Sequence, residues 1–312
     1  MTGASAPRRL AGGEAMNTDD LRLLAEAKSR LMRPSLAIRL ASVVGTRIDN
    51  LFRYLPGGAH EKITEIAQTA LEKCLDVALK TLPAEARAGV LDGGLADVSP
   101  ASAPGSRGRL SRSLATIAGG ITRRTPQRSK LLHKLAVMGT GAAGGAFGLL
   151  ALPAELPVTT TLMFRSICSI AQSKGEPLND PAVQMQCLLV LALGGPAKSD
   201  DDAQWGYFMV RGALAQAVSR ASSELAAKGL GAHTSSALLQ LVRQIASRLS
   251  VQISEQVAAK SIPALGAVFG AAINAAFIDH FQHIAEAHFT VRSLERRYGE
   301  AHVRAQWEAL PA

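Results

Sequence analysis

The sequence predicts an all-α protein, on three observations. Helix-forming residues are abundant, whereas aromatic residues make up only 4% of the chain and runs of Val, Ile and Thr are few. Apolar residues recur at helical spacing, as at Ile63, Ile66, Ala70 and Cys74. Proline and glycine clusters divide the chain into pieces of helical length. With 47% hydrophobic residues, we expect a single helical, bundle-like domain with a Gly-rich apolar core.

Caps and breakers predict about ten helices in this domain. Thr18, Asp19 and Asp20 form an N-terminal cap, Pro181 follows a capping Asn-Asp pair, and Gly299 ends the last long helix. The expected helices cover about 18–32, 35–54, 61–82, 110–122, 129–150, 158–173, 181–193, 200–228, 234–259 and 263–297.

Two segments are expected to lie outside the helices. Residues 1–17 lack the apolar core of a secretory signal and are predicted to be disordered, with Met16 an alternative start. Residues 83–108 are rich in Gly, Ala, Ser and Pro, which indicates a flexible linker or insertion. The helical domain is therefore expected to span 18–312.

Positive charge is concentrated in residues 98–154, which contain eight cations and no acidic residue. This segment supplies +8 of the net charge of +9, so the other 255 residues sum to +1. We call its cations the basic block: Arg107, Arg109, Arg112, Arg123, Arg124, Arg128, Lys130 and Lys134. A cationic segment next to the uncharged residues 135–154 is typical of contact with an anionic membrane. A solvated loop is the alternative, and nucleic acid is not expected because no aromatic residues are interleaved.

Two ladders of small residues at intervals of four predict close helix packing. One ladder contains Thr140, Gly144 and Gly148, and the other contains Gly266, Gly270 and Asn274. The second lies in residues 261–278, which carry no charge. Such a glycine zipper fits the core of a soluble bundle, with Gly266 and Gly270 facing Gly144 and Gly148. Membrane insertion is the alternative, since each uncharged run is close to the length of a span.

Several polar residues are candidates for function. Glu155 follows the first uncharged run and is expected to cap a helix that starts near Pro157, with a functional carboxylate as the alternative. Arg165, Asn274 and His288 are further candidate polar residues.

Asp279, His283 and Glu286 fall on one helix face and are weak candidates for metal ligands. The alternative is that they form an ordinary polar helix surface. No phosphate-binding loop, nucleophile elbow or CxxC pair occurs. We therefore assign no catalytic residue and expect no cofactor, and whether the protein is an enzyme stays open.

Several segments of the chain resemble the EcsC protein family. The matching residues are LPAELPVTTTLMFRSICSIAQSKGE (152–176), QCLLVLALGG (186–195), KSIPALGAVFGAAINAAF (260–277) and AHFTVRSLERRYG (287–299). The resemblance covers about residues 21–310 and implies a bacterial α-helical protein. It carries no established catalytic residues, and its link to transport is the genetic neighbourhood of one relative beside an ABC transporter.

Three hypotheses follow for function. The preferred one is a cytoplasmic, peripherally membrane-associated protein on the inner face of the membrane, which binds anionic lipid and serves a transporter or secretion partner. The second is an enzyme, hydrolase-like or metal-dependent, that uses Glu155 with the Asp279, His283 and Glu286 face. The third is a soluble scaffold that binds a transporter or secretion partner. An integral membrane protein with Gly-rich spans is the alternative to the peripheral association of the first hypothesis. No nucleic acid and no known small-molecule substrate is expected.

Overall fold

The computed structural model describes residues 15–32, 58–88, 152–193, 200–228, 235–260 and 265–311. These ranges contain eight helices and no strand, so the all-α prediction is confirmed for them. The helices are α1 (Thr18–Leu31), α2 (Ala59–Ala88), α3 (Leu152–Ser173), α4 (Pro181–Val190), α5 (Asp200–Lys228), α6 (Ser236–Lys260), α7 (Leu265–Tyr298) and α8 (Glu300–Ala309). The helices predicted at 35–54, 110–122 and 129–150 lie outside the described residues.

Several helix ends follow the local signals in the sequence. The prediction that Thr18, Asp19 and Asp20 cap α1 was wrong by one residue. Asn17 is the cap and accepts a 2.7 Å hydrogen bond from the backbone N–H of Asp20, while the three predicted residues form the first turn. Asp180 caps α4 in the same way, and Pro181 occupies the first turn, where its missing N–H costs nothing. Gly299, with φ of +89°, separates α7 from α8 in a conformation that favours glycine.

Two helices extend beyond their predicted bounds, in both cases through proline. Helix α2 continues past Pro83 to Ala88, and so includes the first six residues of the predicted linker. Helix α3 begins at Leu152, so Glu155 lies within its first turn instead of capping a helix that starts near Pro157. A proline in the first turn loses no helical hydrogen bond, and Pro157 loses only one.

Helix α7 lies at the centre of the fold and packs against α1, α3, α6 and α8. Helix α2 packs on α3 and α6, while α5 packs on α4 and α6. The last part of α6 is enclosed on all sides, because Val251 is the only residue from 249 to 260 that is not buried. Polar residues in this part must therefore find hydrogen-bond partners inside the protein.

The structure describes only one part of the two glycine ladders. Gly270 is buried in α7, as a packing residue should be. Thr140, Gly144 and Gly148 lie outside the described residues, as do the surroundings of Gly266, so the contact between the ladders stays a prediction. None of the helices that the structure describes is long and apolar enough to cross a membrane, and these helices give no support to an integral membrane protein.

Candidate functional site

A buried polar network joins α3, α6 and α7, and it contains two of the residues singled out from the sequence. The Lys260 ammonium donates to Glu155 Oε1 over 2.6 Å, and Asn274 Nδ2 donates to the same oxygen over 2.9 Å. Gln256 Nε2 donates in turn to Asn274 Oδ1 over 2.6 Å. We call these four residues the Glu155 network.

Each member of the Glu155 network is positioned by helix geometry. Glu155 lies in the first turn of α3, where the unpaired N–H groups and the helix dipole favour a carboxylate. Gln256 and Lys260 are four residues apart in the last turns of α6, so their side chains share one face. Asn274 projects from α7 into the same junction.

The network places an ion pair out of water. The side chains of Lys260 and Glu155 are only 3% and 8% exposed. Burial lowers the pKa of Lys260, although the Glu155 carboxylate acts in the opposite direction. A buried ammonium without its carboxylate would be strongly destabilising, so each member of the pair requires the other. The arrangement therefore fixes the packing of three helices, the best-attested role of such pairs.

The two residues of this pair border the two uncharged runs of the sequence. Glu155 directly follows the uncharged residues 135–154, and Lys260 directly precedes the uncharged residues 261–278. The ion pair therefore brings one end of each Gly-rich run to the same point in the fold.

A second buried network surrounds His288, between α5 and α7. Arg211 forms a two-pronged ion pair with Glu295, at 2.8 and 2.9 Å, and also donates to the Tyr207 hydroxyl oxygen over 3.2 Å. Tyr207 lies 3.0 Å from His288 Nδ1. The tautomer of His288 decides which of these two groups donates the hydrogen bond.

The surroundings of His288 disfavour its charged form. Its Nε2 atom is buried and has no hydrogen-bond partner within the described residues. Burial holds the pKa of His288 well below its ordinary value, and the charges of Arg211 and Arg292 act in the same direction. Burial also raises the pKa of Tyr207. His288 is thus a neutral core histidine at physiological pH.

Two of the three candidate metal ligands contact each other, and the third pairs with a different helix. His283 Nδ1 lies 3.2 Å from an Asp279 carboxylate oxygen and 2.7 Å from the backbone carbonyl of that residue. Glu286 instead forms an ion pair with Arg30 of α1. No group of three or more metal-binding side chains occurs in the part of the chain that the structure describes.

Arg165, the next candidate residue, acts electrostatically on a cysteine of α2. Its charge acts on the Cys74 thiol of α2, lowering the thiol pKa, but burial has the larger effect and raises that pKa to about 12. Cys74, Cys168 and Cys187 are all buried and form no disulfide. The Cys74 thiol therefore stays protonated and is a poor nucleophile.

Sequence reasoning missed Lys260, Gln256, Tyr207, Arg211 and Glu295. Lys260 could have been found from the sequence. It is the charged residue next to the second uncharged run, just as Glu155 is the charged residue next to the first. Gln256 and Glu295 have no such signal, because their partners are distant in sequence. Tyr207 and Arg211 are four residues apart, but their further partners, His288 and Glu295, are also distant in sequence. The basic block lies outside the described residues, so its contacts stay a prediction.

The fold and the site together define a helical protein in which buried polar networks join α3, α6 and α7, and α5 and α7. A model of the EcsC protein family matches residues 19–294 of the chain. The protein belongs to the EcsC family, as the sequence resemblance indicated. Comparisons with curated proteins and with solved structures give no significant match.

Breaking the Glu155–Lys260 pair on one side should destabilise the protein strongly. We expect Glu155→Leu to lower the free energy of unfolding by about 3–5 kcal/mol, because it leaves a buried ammonium without its carboxylate. The double variant with Lys260→Met should recover most of that loss, since it removes both charges. Urea denaturation measures both values.

Glu308→Ala is the matched control, because it breaks the exposed Arg304–Glu308 pair of α8. Its cost should be about 0–1 kcal/mol. A cost below about 1 kcal/mol for Glu155→Leu, or a double variant no more stable than the single one, would contradict the buried-pair account.

The state of His288 predicts a pH dependence of stability. An unfolded chain binds a proton at this histidine below pH about 6.5, whereas the folded protein does not. Stability should therefore fall as pH decreases below 6.5, by up to about 1.4 kcal/mol per pH unit from this group. His288→Asn, whose side-chain amide can hydrogen-bond to Tyr207, should show a slope smaller by about one proton. Equal slopes between pH 7 and 5 for both proteins would argue against a neutral buried His288.

Proposed function

We propose that this EcsC-family protein binds the anionic face of a membrane peripherally, through the basic block. The observation that carries the proposal is the distribution of charge: 57 residues supply +8 and the remaining 255 supply +1. Such a segment attracts anionic lipid headgroups, whereas the nearly neutral remainder has little net attraction for them.

The ion pairs of the described helices support this division of charge. Glu155, Glu286 and Glu295 each contact a lysine or arginine of another helix, and Glu176, between α3 and α4, contacts arginines of α7. The carboxylates at these positions are thus committed to holding the fold together. They are not available to neutralise the basic block.

The expected strength of the interaction is sufficient for reversible binding. Each Lys or Arg near an anionic surface contributes about 1 kcal/mol, and salt screens the attraction. Eight such residues, next to an uncharged run, are enough to hold a protein at a membrane without a spanning helix. On this proposal the protein acts at the inner face of the membrane as an accessory to a transport or secretion process, in line with the family resemblance.

The enzyme hypothesis receives less support from the site. Glu155 is held by Lys260 and Asn274, whereas Glu286 pairs with Arg30 and His283 lies against Asp279. Among these candidate residues, Asp279 and His283 contact each other, whereas Glu155 and Glu286 are each held by a cation of another helix.

Co-sedimentation with lipid vesicles tests the proposal. The wild-type protein should bind vesicles of phosphatidylglycerol and phosphatidylcholine, bind phosphatidylcholine alone much less, and dissociate as salt is raised. Replacing Arg123, Arg124, Arg128 and Lys130 with Gln should weaken binding to the anionic vesicles at least about tenfold, since roughly 1 kcal/mol is lost for each engaged cation.

The chain offers a control with the same change in charge. Arg220, Lys228, Arg243 and Arg248 are exposed on α5 and α6. Replacing these four with Gln should leave most of the binding intact. Equal weakening by both sets, or equal binding to neutral and anionic vesicles, would reject the basic block as the binding site. Retention on membranes after alkaline carbonate extraction would instead indicate integral association.

A further inference from the structure

Helix α8 is a short C-terminal element that the sequence patterns did not predict. It begins after Gly299, and the family match ends earlier, at residue 294 within α7. Only two of its ten residues, Val303 and Trp307, are buried. The connection through a single glycine with positive φ and the small apolar contact distinguish α8 from the central helices.

Trp307 supplies most of the contact between α8 and the core. The side chain is 1% exposed and its ring stacks on Tyr207 at a centroid distance of 5.7 Å. It also meets Phe208 edge-on at 5.4 Å. Helix α8 therefore covers Tyr207, the residue whose hydroxyl is hydrogen-bonded to His288.

Lys28 of α1 binds the C-terminal end of α8. Its ammonium donates to the backbone carbonyl oxygens of Trp307, over 3.0 Å, and Leu310, over 2.6 Å. The last carbonyls of a helix have no partner within the helix and carry the negative end of its dipole, so a cation is favourable there. Lys28 is itself 1% exposed, and opening α8 would remove both of these acceptors.

The contacts of α7 are of a different kind. Phe277, Phe281 and Phe289 are fully buried, and this helix packs against α1, α3, α6 and α8. Hydrogen exchange at the backbone N–H groups in the middle of α7 requires disruption of the core around it. Undocking of α8, in contrast, disrupts the contacts of Trp307, Val303 and Lys28. Segments with few buried contacts open at lower free energy than the global unfolding reaction.

We propose that α8 is a displaceable helix, docked between α1, α5 and α7 with Lys28 as its latch. Its occupancy of that groove is reversible in the folded protein, with rotation about Gly299. Opening exposes the rings of Tyr207 and Phe208 and brings the His288 network within reach of solvent, while the remaining core stays folded. The groove thus becomes accessible without unfolding.

Hydrogen–deuterium exchange on the full-length protein tests this inference. In the wild type, amides of residues 303–310 should exchange at least about tenfold faster than those of residues 277–294. Lys28→Met keeps the length of the side chain but removes the latch, and it should accelerate exchange in 303–310 by a further factor of about ten. Exchange in 277–294 should not change.

Lys62→Met is the matched control, because Lys62 is exposed on α2. It should leave exchange unchanged in both segments. Wild-type exchange of 303–310 as slow as that of 277–294 would overturn the proposal that α8 opens separately. Lys28→Met accelerating both segments equally, or leaving 303–310 unchanged, would overturn the role of Lys28 as the latch.

Discussion

The ion pair between Glu155 and Lys260 is the constraint on which the arrangement of the central helices depends. It is enclosed where α3, α6 and α7 meet, and Asn274 and Gln256 extend it by two further hydrogen bonds. Neither charge can be left alone in this environment without a large penalty. The pair therefore fixes the relative positions of the three helices more sharply than apolar contacts alone, which tolerate substitution by residues of similar volume.

The same logic applies to the buried polar residues elsewhere in the fold. Gln252 donates to the carbonyl of Leu193, and Gln282 donates to the Ser166 hydroxyl. Glu176, whose side chain is 1% exposed, is held by Arg292 and Arg296 of α7. Each of these contacts joins parts of the chain that are far apart in sequence. The interior is therefore organised by specific polar pairs as well as by its aliphatic residues.

The sequence was informative where the signal is local. Asp180-Pro181 marks the start of α4 and Gly299 the end of α7, since caps and positive φ depend on neighbouring residues alone. Glu155 and Asn274 stood out because charged and amide groups are rare in apolar sequence. Their mutual contact could not be predicted, because 119 residues separate them. Helix α8 was missed because its only buried residues, Val303 and Trp307, are too few to give a clear period.

The uneven distribution of charge links the fold to the proposed function. Several buried carboxylates of the described residues pair with cations from other parts of the fold, and the excess of positive charge falls in residues 98–154. The Glu155–Lys260 pair lies at the boundary, because Glu155 is the first acidic residue after that segment. The pair thus lies where the segment that we propose to contact the membrane meets the folded core.

The most direct test of the central ion pair is the chemical reactivity of Lys260 in the native protein. Competitive acylation with a lysine-reactive ester, followed by mass spectrometry of the peptides, compares Lys260 with the exposed Lys62 in one sample. The account predicts that Lys260 is labelled at least about a hundredfold more slowly than Lys62, and that denaturant abolishes the difference, because burial and pairing block the amine. Labelling of the two lysines at similar rates in the native protein would contradict the buried pair.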